Sequence, residues 1–98
     1  MVPVIFINCQ SAPFLVFIMQ GLKLYETRTR NTLWLFENQR VYLAETGRGV
    51  PVIRCSAIIR AAVPVRSRSV WRSLRRQHMV PTCGPFDWKS TTTVKYLY

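Results

Sequence analysis

Gly21-Leu22-Lys23-Leu24-Tyr25-Glu26-Thr27-Arg28 carries the densest chemistry of the chain. It follows Ala12 to Gln20 (APFLVFIMQ), an almost wholly apolar run that reads as a largely buried helix stopped by Gly21. Ser11 stands as a candidate N-cap with Pro13 two residues on. Beyond Gly21 the pattern turns from helical to extended over Lys23 to Arg28. Period-2 alternation puts Leu24, Glu26 and Arg28 on one face and Tyr25 and Thr27 on the other. A lysine, a carboxylate and an arginine leaving one short stretch make an anion-binding group with a candidate general base. A surface ion pair of Glu26 with Arg28 or Lys23 accounts for the same spacing and is the blander explanation.

Upstream, Pro3 to Ile7 (PVIFI) is a short, fully apolar, β-branched run and reads as a buried strand, with Asn8 to Ser11 a loop. Downstream, Asn31 to Asn38 is ambiguous, because Leu33, Trp34, Leu35 and Phe36 are apolar together. Arg40 to Glu45 is a strand and Thr46 to Gly49 a loop. Pro51 to Val63 is a long strand or a bulged pair. Arg54, Ser56 and Ile58 alternate there with Ile53, Cys55 and Ala57, and a bulge near Ala57 to Ile59 restores the register.

Val65 to Met79 holds Arg66, Arg68, Arg72, Arg75 and Arg76, with Val70, Trp71 and Leu74 as an apolar stripe. A basic amphipathic helix is expected from Ser67 or Ser69 to His78. Val80 to Trp88 is a loop. Thr91 to Tyr98 (TTTVKYLY) is a strand that runs to the last residue, so the domain is expected to continue past Tyr98. The order β, α, β, β, long β, α, β describes one α+β domain over residues 1–98: a small, partly closed β-barrel with two helices at its mouth.

Fourteen Lys and Arg against four Asp and Glu leave a net charge of +10 in 98 residues. That imbalance points to a polyanionic partner. A hydrophobic fraction of 49% excludes a disordered tail. Cys9, Cys55 and Cys83 are odd in number and widely spaced, which is neither a disulfide framework nor a zinc motif, and a reduced cytoplasmic chain follows. No metal or cofactor is implied. Phosphate-loop, dinucleotide and hydrolase-elbow glycine patterns are missing. Met1 to Met19 has no basic leader region, and Asn8 to Ser11 cuts it into pieces too short to span a bilayer, so no membrane partner is expected.

The G-x-K-x-x-E-x-R run over Gly21 to Arg28, placed after an N-terminal helix, resembles the signature of ASCH domains, a branch of the PUA-like superfamily. Arg40-Val41-Tyr42-Leu43-Ala44-Glu45-Thr46-Gly47 is similar to that family's second recurrent feature, and the later helix and last strand fall where its fold puts them. The resemblance implies a small barrel with a cleft that binds RNA or modified nucleosides. It also implies a hydrolase form acting on the amide of N4-acetylcytidine or on RNA phosphodiesters. The amidohydrolase lysine falls on Lys23. Its threonine position falls on Glu26, and its glutamate has no counterpart, since no Glu follows Glu45 and only Asp87 is acidic there. What carries over is the binding cleft.

On this reading Lys23 and Glu26 are the catalytic candidates, Lys23 stabilising an oxyanion and Glu26 managing the proton. Lys23 and Arg28 bind the nucleotide, and Arg66, Arg68, Arg72, Arg75 and Arg76 track phosphates. Trp34, Trp71 and Trp88 are candidates for base stacking. Trp71 belongs to the apolar stripe, so the loop residue Trp88 is the best of them. His78 is read as a cation closing the basic helix. Two alternatives stand beside this reading: a non-catalytic RNA-binding module, and an interaction protein whose basic helix docks on an acidic partner.

Overall fold

A computed structural model describes residues 1–98. In chain order its elements are β1 (Val4–Asn8), α1 (Phe14–Met19), β2 (Thr27–Arg28), a single 3-10 turn at Trp34–Phe36, β3 (Arg40–Thr46), β4 (Val52–Ile58), β5 (Val63–Val65), α2 (Arg68–Ser73), α3 (Arg75–His78) and β6 (Lys95–Leu97). They form a small α+β fold with two three-stranded sheets, ordered β1-β3-β4 and β2-β6-β5. No closed barrel is present. The strands form two short sheets, each packed on its own core.

In the first sheet β1 lies parallel to β3, with Ile5 opposite Leu43 and Ile7 opposite Glu45, and β4 lies antiparallel to β3. A parallel pair needs a crossover. Here α1, β2 and the 3-10 turn make it. The inward residues of β1 and β3 (Ile5, Ile7, Val41, Leu43) pack with Phe14, Leu15 and Leu33 into the larger core. Gly47, just past β3, has φ +88, and a Cβ there would lie 2.8 Å from the Asn8 side chain and 3.0 Å from the Gln10 amide. Only glycine lets these two loops meet.

The second sheet is antiparallel, with Thr27 and Val63 both opposite Leu97. Its core is Val65, Trp71, Val80 and Leu97. The C-terminal strand joins the two cores by alternation. Leu97 is buried in the second, while Tyr98 packs against the first and accepts from the Leu33 amide at 3.2 Å. Tyr98 and Glu26 also exchange backbone hydrogen bonds at 2.9 and 3.1 Å.

Several expectations are corrected. The first helix is two turns at most, starting at Phe14, with Pro13 at its N-cap and no capping side chain; Ser11 does not cap it. It buries Phe14 and Leu15 but leaves Val16 and Met19 exposed, so one stripe rather than the whole surface is inside. Gly21 does end it, with φ +74 and its amide bonded to the Ile18 carbonyl at 3.0 Å. The register irregularity lies between Leu43 and Ala44, not near Ala57 to Ile59. Leu43 faces Cys55 and Ala44 faces Ile53, which leaves Arg54 as the extra residue, its guanidinium turned to Glu45 at 3.2 Å. The long strand ends at Ile58, and β5 belongs to the other sheet.

The basic helix is capped by the Ser67 hydroxyl, which accepts from the Val70 amide at 3.2 Å. It then breaks at Leu74 into α2 and α3, a turn and a half and a single turn. The break lets Trp71 and His78, seven residues apart, stack face to face. None of the helices is long and apolar enough to cross a membrane.

Candidate functional site

The stretch from Lys23 to Arg28 is held by backbone hydrogen bonds on three sides. The Leu22 and Lys23 amides donate to the Phe17 carbonyl at 2.9 and 3.1 Å, which folds the chain back under α1. The Leu24 and Tyr25 amides both donate to the Gln77 carbonyl, at 2.8 and 3.2 Å. Glu26 then pairs with Tyr98, and the chain enters β2. Only Thr27 and Arg28 are strand, so the extended run expected from Lys23 onward is mostly an irregular segment clamped between α1, α3 and β6.

Clamping in this way brings Lys23, Glu26 and Arg28 to one cavity of about 70 Å³. Phe14, Phe86, Ile7 and Asn8 complete much of its wall. Lys23 is buried, its Nζ donating to the His78 carbonyl at the end of α3 and lying 5.0 Å from the Phe14 ring centre. Burial lowers its ammonium to a pKa of about 8, and the Glu26 carboxylate opposes that shift. A lysine held there is closer to its neutral form at pH 7 than any solvated one.

Glu26 and Arg28 form the ion pair that the spacing allowed, at 3.2 Å. Glu26 Oε1 also accepts from the Thr27 amide at 3.1 Å, and Arg28 donates to the Phe6 carbonyl at 3.0 Å, so the guanidinium ties β2 to the free edge of β1. Arg28 Nε is buried and has no hydrogen-bond partner. Both hydrogen bonds of Arg28 use Nη2, so the guanidinium beside the cavity keeps donors on its other nitrogens for a planar oxyanion.

The arginine cluster divides in two. Arg66, Arg68, Arg72 and Arg76 are exposed and take no part in the three ion pairs of the molecule. Arg75 is structural: its Nη1 donates to Asp87 Oδ1 and to the Val80 carbonyl, each at 2.8 Å. Trp88 is half-buried and tilted against Trp71, ring centres 6.3 Å apart, so part of its indole belongs to the second core. Trp34 is the most exposed of the three tryptophans, and it lies on the 3-10 turn away from this cluster.

Asp87 was legible in the sequence only as a stray acid in a basic region. It is buried and accepts from Trp71 Nε1 at 2.7 Å, from Arg75 and from the Cys83 amide at 2.8 Å. Burial alone would push its carboxyl up, but these bonds, with the Trp88 amide, hold it well below the usual carboxylate range. His78 is likewise fully buried. Its pKa is lowered to about 4 by burial, with Arg75 and Lys23 adding to the effect and the Trp71 carbonyl and Asp87 opposing it. The expected capping cation is therefore a neutral core imidazole.

No three His, Cys, Asp or Glu side chains group together to hold a metal. Cys9, Cys55 and Cys83 are free thiols, respectively buried, half-buried and exposed. No protein-family model, no curated protein and no solved structure matches the chain.

Proposed function

We propose that the chain is an ASCH-like member of the PUA-like superfamily that binds RNA or a modified nucleoside. The cleft is the cavity lined by Lys23, Glu26 and Arg28, and Arg66, Arg68, Arg72 and Arg76 form the electrostatic approach. The observation that carries this reading is the convergence of the three ionisable residues of one hexapeptide on a single cavity walled by two phenylalanine rings. A cation with a lowered pKa, a carboxylate and a guanidinium with a free donor suit an oxygen- and nitrogen-rich planar ligand. Four exposed arginines without acidic partners suit its phosphates. Three free thiols support a reducing compartment, which we take to be the cytoplasm. The chemistry available to the cavity is hydrolysis, with Lys23 stabilising an oxyanion and Glu26 carrying the proton.

The test is binding of single-stranded RNA and of N4-acetylcytidine, with release of acetate from the latter followed in parallel. Glu26→Gln removes a partly exposed ion pair, so it should cost about 1 kcal/mol of stability or less. It should nonetheless abolish turnover or alter binding, as should Lys23→Met. The cleft reading fails if both variants bind RNA and process acetylated cytidine as the parent does. Docking on an acidic protein draws on the same exposed arginines. Equal binding to RNA, heparin and polyglutamate would favour that second reading.

A further inference from the structure

Behind the Lys23–Glu26 wall lies a second cavity of about 190 Å³, lined mostly by aliphatic side chains, among them Ile18, Leu33, Leu43 and Ile58. Its charged lining is Lys23, Glu26 and Arg60, a net of one positive charge. Arg60 is exposed, lies just past β4 and makes no ion pair. Leu24 and Ile58 in the cavity's lining are 64% and 42% exposed, so the chamber opens to solvent, and an aliphatic occupant would take apolar surface out of water. We propose that this chamber binds a monoanionic aliphatic ligand, a straight-chain carboxylate, with its tail among the aliphatic side chains and its carboxylate held by Arg60.

Charge and volume both argue for that occupant. Arg60 is the lining charge without a partner, since Lys23 donates to the His78 carbonyl and Glu26 pairs with Arg28, and one free cation matches one carboxylate. Glu26 on the same wall disfavours a dianion such as a phosphate monoester. A cavity of about 150 Å³ lined by Leu, Ile and Phe takes up benzene, so about 190 Å³ accommodates a tail of about six carbons. The inference is separate from RNA binding. It concerns a chamber that the nucleotide reading does not use, apart from the shared Lys23–Glu26 wall.

The probes are acetate, butyrate, hexanoate, octanoate and dodecanoate, with 1-hexanol as the uncharged control, titrated into the whole chain by calorimetry and by amide NMR. Affinity should rise about fourfold per methylene from acetate to hexanoate. It should then level off once the chamber is full, and 1-hexanol should bind more weakly than hexanoate. Arg60→Glu should remove most of the hexanoate affinity and leave that of 1-hexanol unchanged. Ala57→Leu, which fills the chamber from β4, should abolish the chain-length dependence. If that variant does not fold, the Arg60→Glu comparison and the chain-length profile still decide. The proposal is overturned if hexanoate binds no tighter than acetate, if affinity climbs steadily through dodecanoate as adsorption to an open surface would, or if Arg60→Glu has no effect. RNA binding measured on the same variants should be retained by Ala57→Leu. Lys23→Met should lose RNA binding and keep its hexanoate affinity, which separates the nucleotide cleft from the chamber.

Discussion

Trp71 and His78 stack with ring centres 3.8 Å apart and planes 17° apart. His78 Nε2 bonds to the backbone carbonyl of Trp71 at 2.9 Å, and its Nδ1 accepts from the Val80 amide at 2.9 Å. One ring nitrogen faces an acceptor and the other a donor, which only the neutral imidazole with its proton on Nε2 satisfies. Protonation of Nδ1 would set two donors against each other inside the second core. The ammonium of Lys23, which lines the cavity, reaches the carbonyl of the same histidine, so one hydrogen bond links the cavity to the stacked pair.

Stability should therefore fall on mild acidification. The folded pKa of His78 is depressed to about 4, so the folded protein resists a proton that the unfolded chain accepts near 6.5. The stabilisation is fully present above pH 6.5 and is lost as the pH falls toward 4, by about 3 kcal/mol at most. Asp87, also depressed, adds a further loss at lower pH. Urea unfolding at stepped pH measures this. The molecule has one histidine, so its ring-proton NMR signal is unambiguous. Titration of that signal near pH 6.5 in the folded protein would contradict the buried neutral ring.

Asp87→Ala should be among the most damaging single substitutions. It leaves the buried Trp71 Nε1 and the Arg75 guanidinium without their acceptor, and breaking such a pair costs about 3–5 kcal/mol. Thermal melting followed by tryptophan fluorescence reads both the loss and the changed indole environment. A shift in melting temperature as small as that of a surface mutation would show that the network does not hold the second core.

Lys23 bears on the alkaline side. Its folded pKa is lowered to about 8, so between pH 8 and 10.5 the folded protein has given up a proton that the unfolded chain keeps. The unfolded state then binds more protons, and this residue makes stability rise with pH across that window. Lys23→Met should remove the rise; because it also takes the donor from the His78 carbonyl, the slopes of the two curves are compared rather than their heights. Parallel parent and variant curves between pH 8 and 10 would show that Lys23 ionises like a solvated lysine.

On the proposed reading, RNA affinity should fall steeply with salt, and the structure decides which arginines test it. Arg75 supports Asp87, so its removal confounds binding with folding. Arg72→Ala with Arg76→Ala touches only exposed side chains and should flatten the slope of log K against log salt by roughly 1.4, at about 0.7 per single-strand phosphate contact. Filter binding over a salt series gives the slope. An unchanged slope would remove this face from the interface.

Thiol reactivity should follow exposure. Cys83 is exposed, Cys55 half-buried and Cys9 fully buried, and burial pushes the Cys55 thiol up. Iodoacetamide should label Cys83 first and Cys9 only on unfolding, as mass spectrometry can follow. Rapid native labelling of Cys9 would mean that the β1 end of the larger core opens readily.

The chain's local signals determined the element types and most of their order. The apolar run of β1, the helix stop at Gly21, the strand from Arg40, the Ser67 cap and the last strand all follow from composition and turn chemistry acting within a few residues. So did the choice of Lys23, Glu26 and Arg28, because three ionisable groups beside an apolar helix are conspicuous in sequence. Tertiary structure alone decided what those groups face. The cavity exists because the Phe17, Gln77 and Tyr98 carbonyls, from three separate parts of the chain, fix the backbone of the same short segment. The parallel pairing of β1 with β3 and the split into two sheets are likewise long-range, with no local signature. The roles of Asp87 and His78 were hidden for the same reason. A short carboxylate becomes a hub, and a histidine at a basic helix end becomes a neutral core residue, only when burial removes water and leaves distant donors and acceptors to replace it.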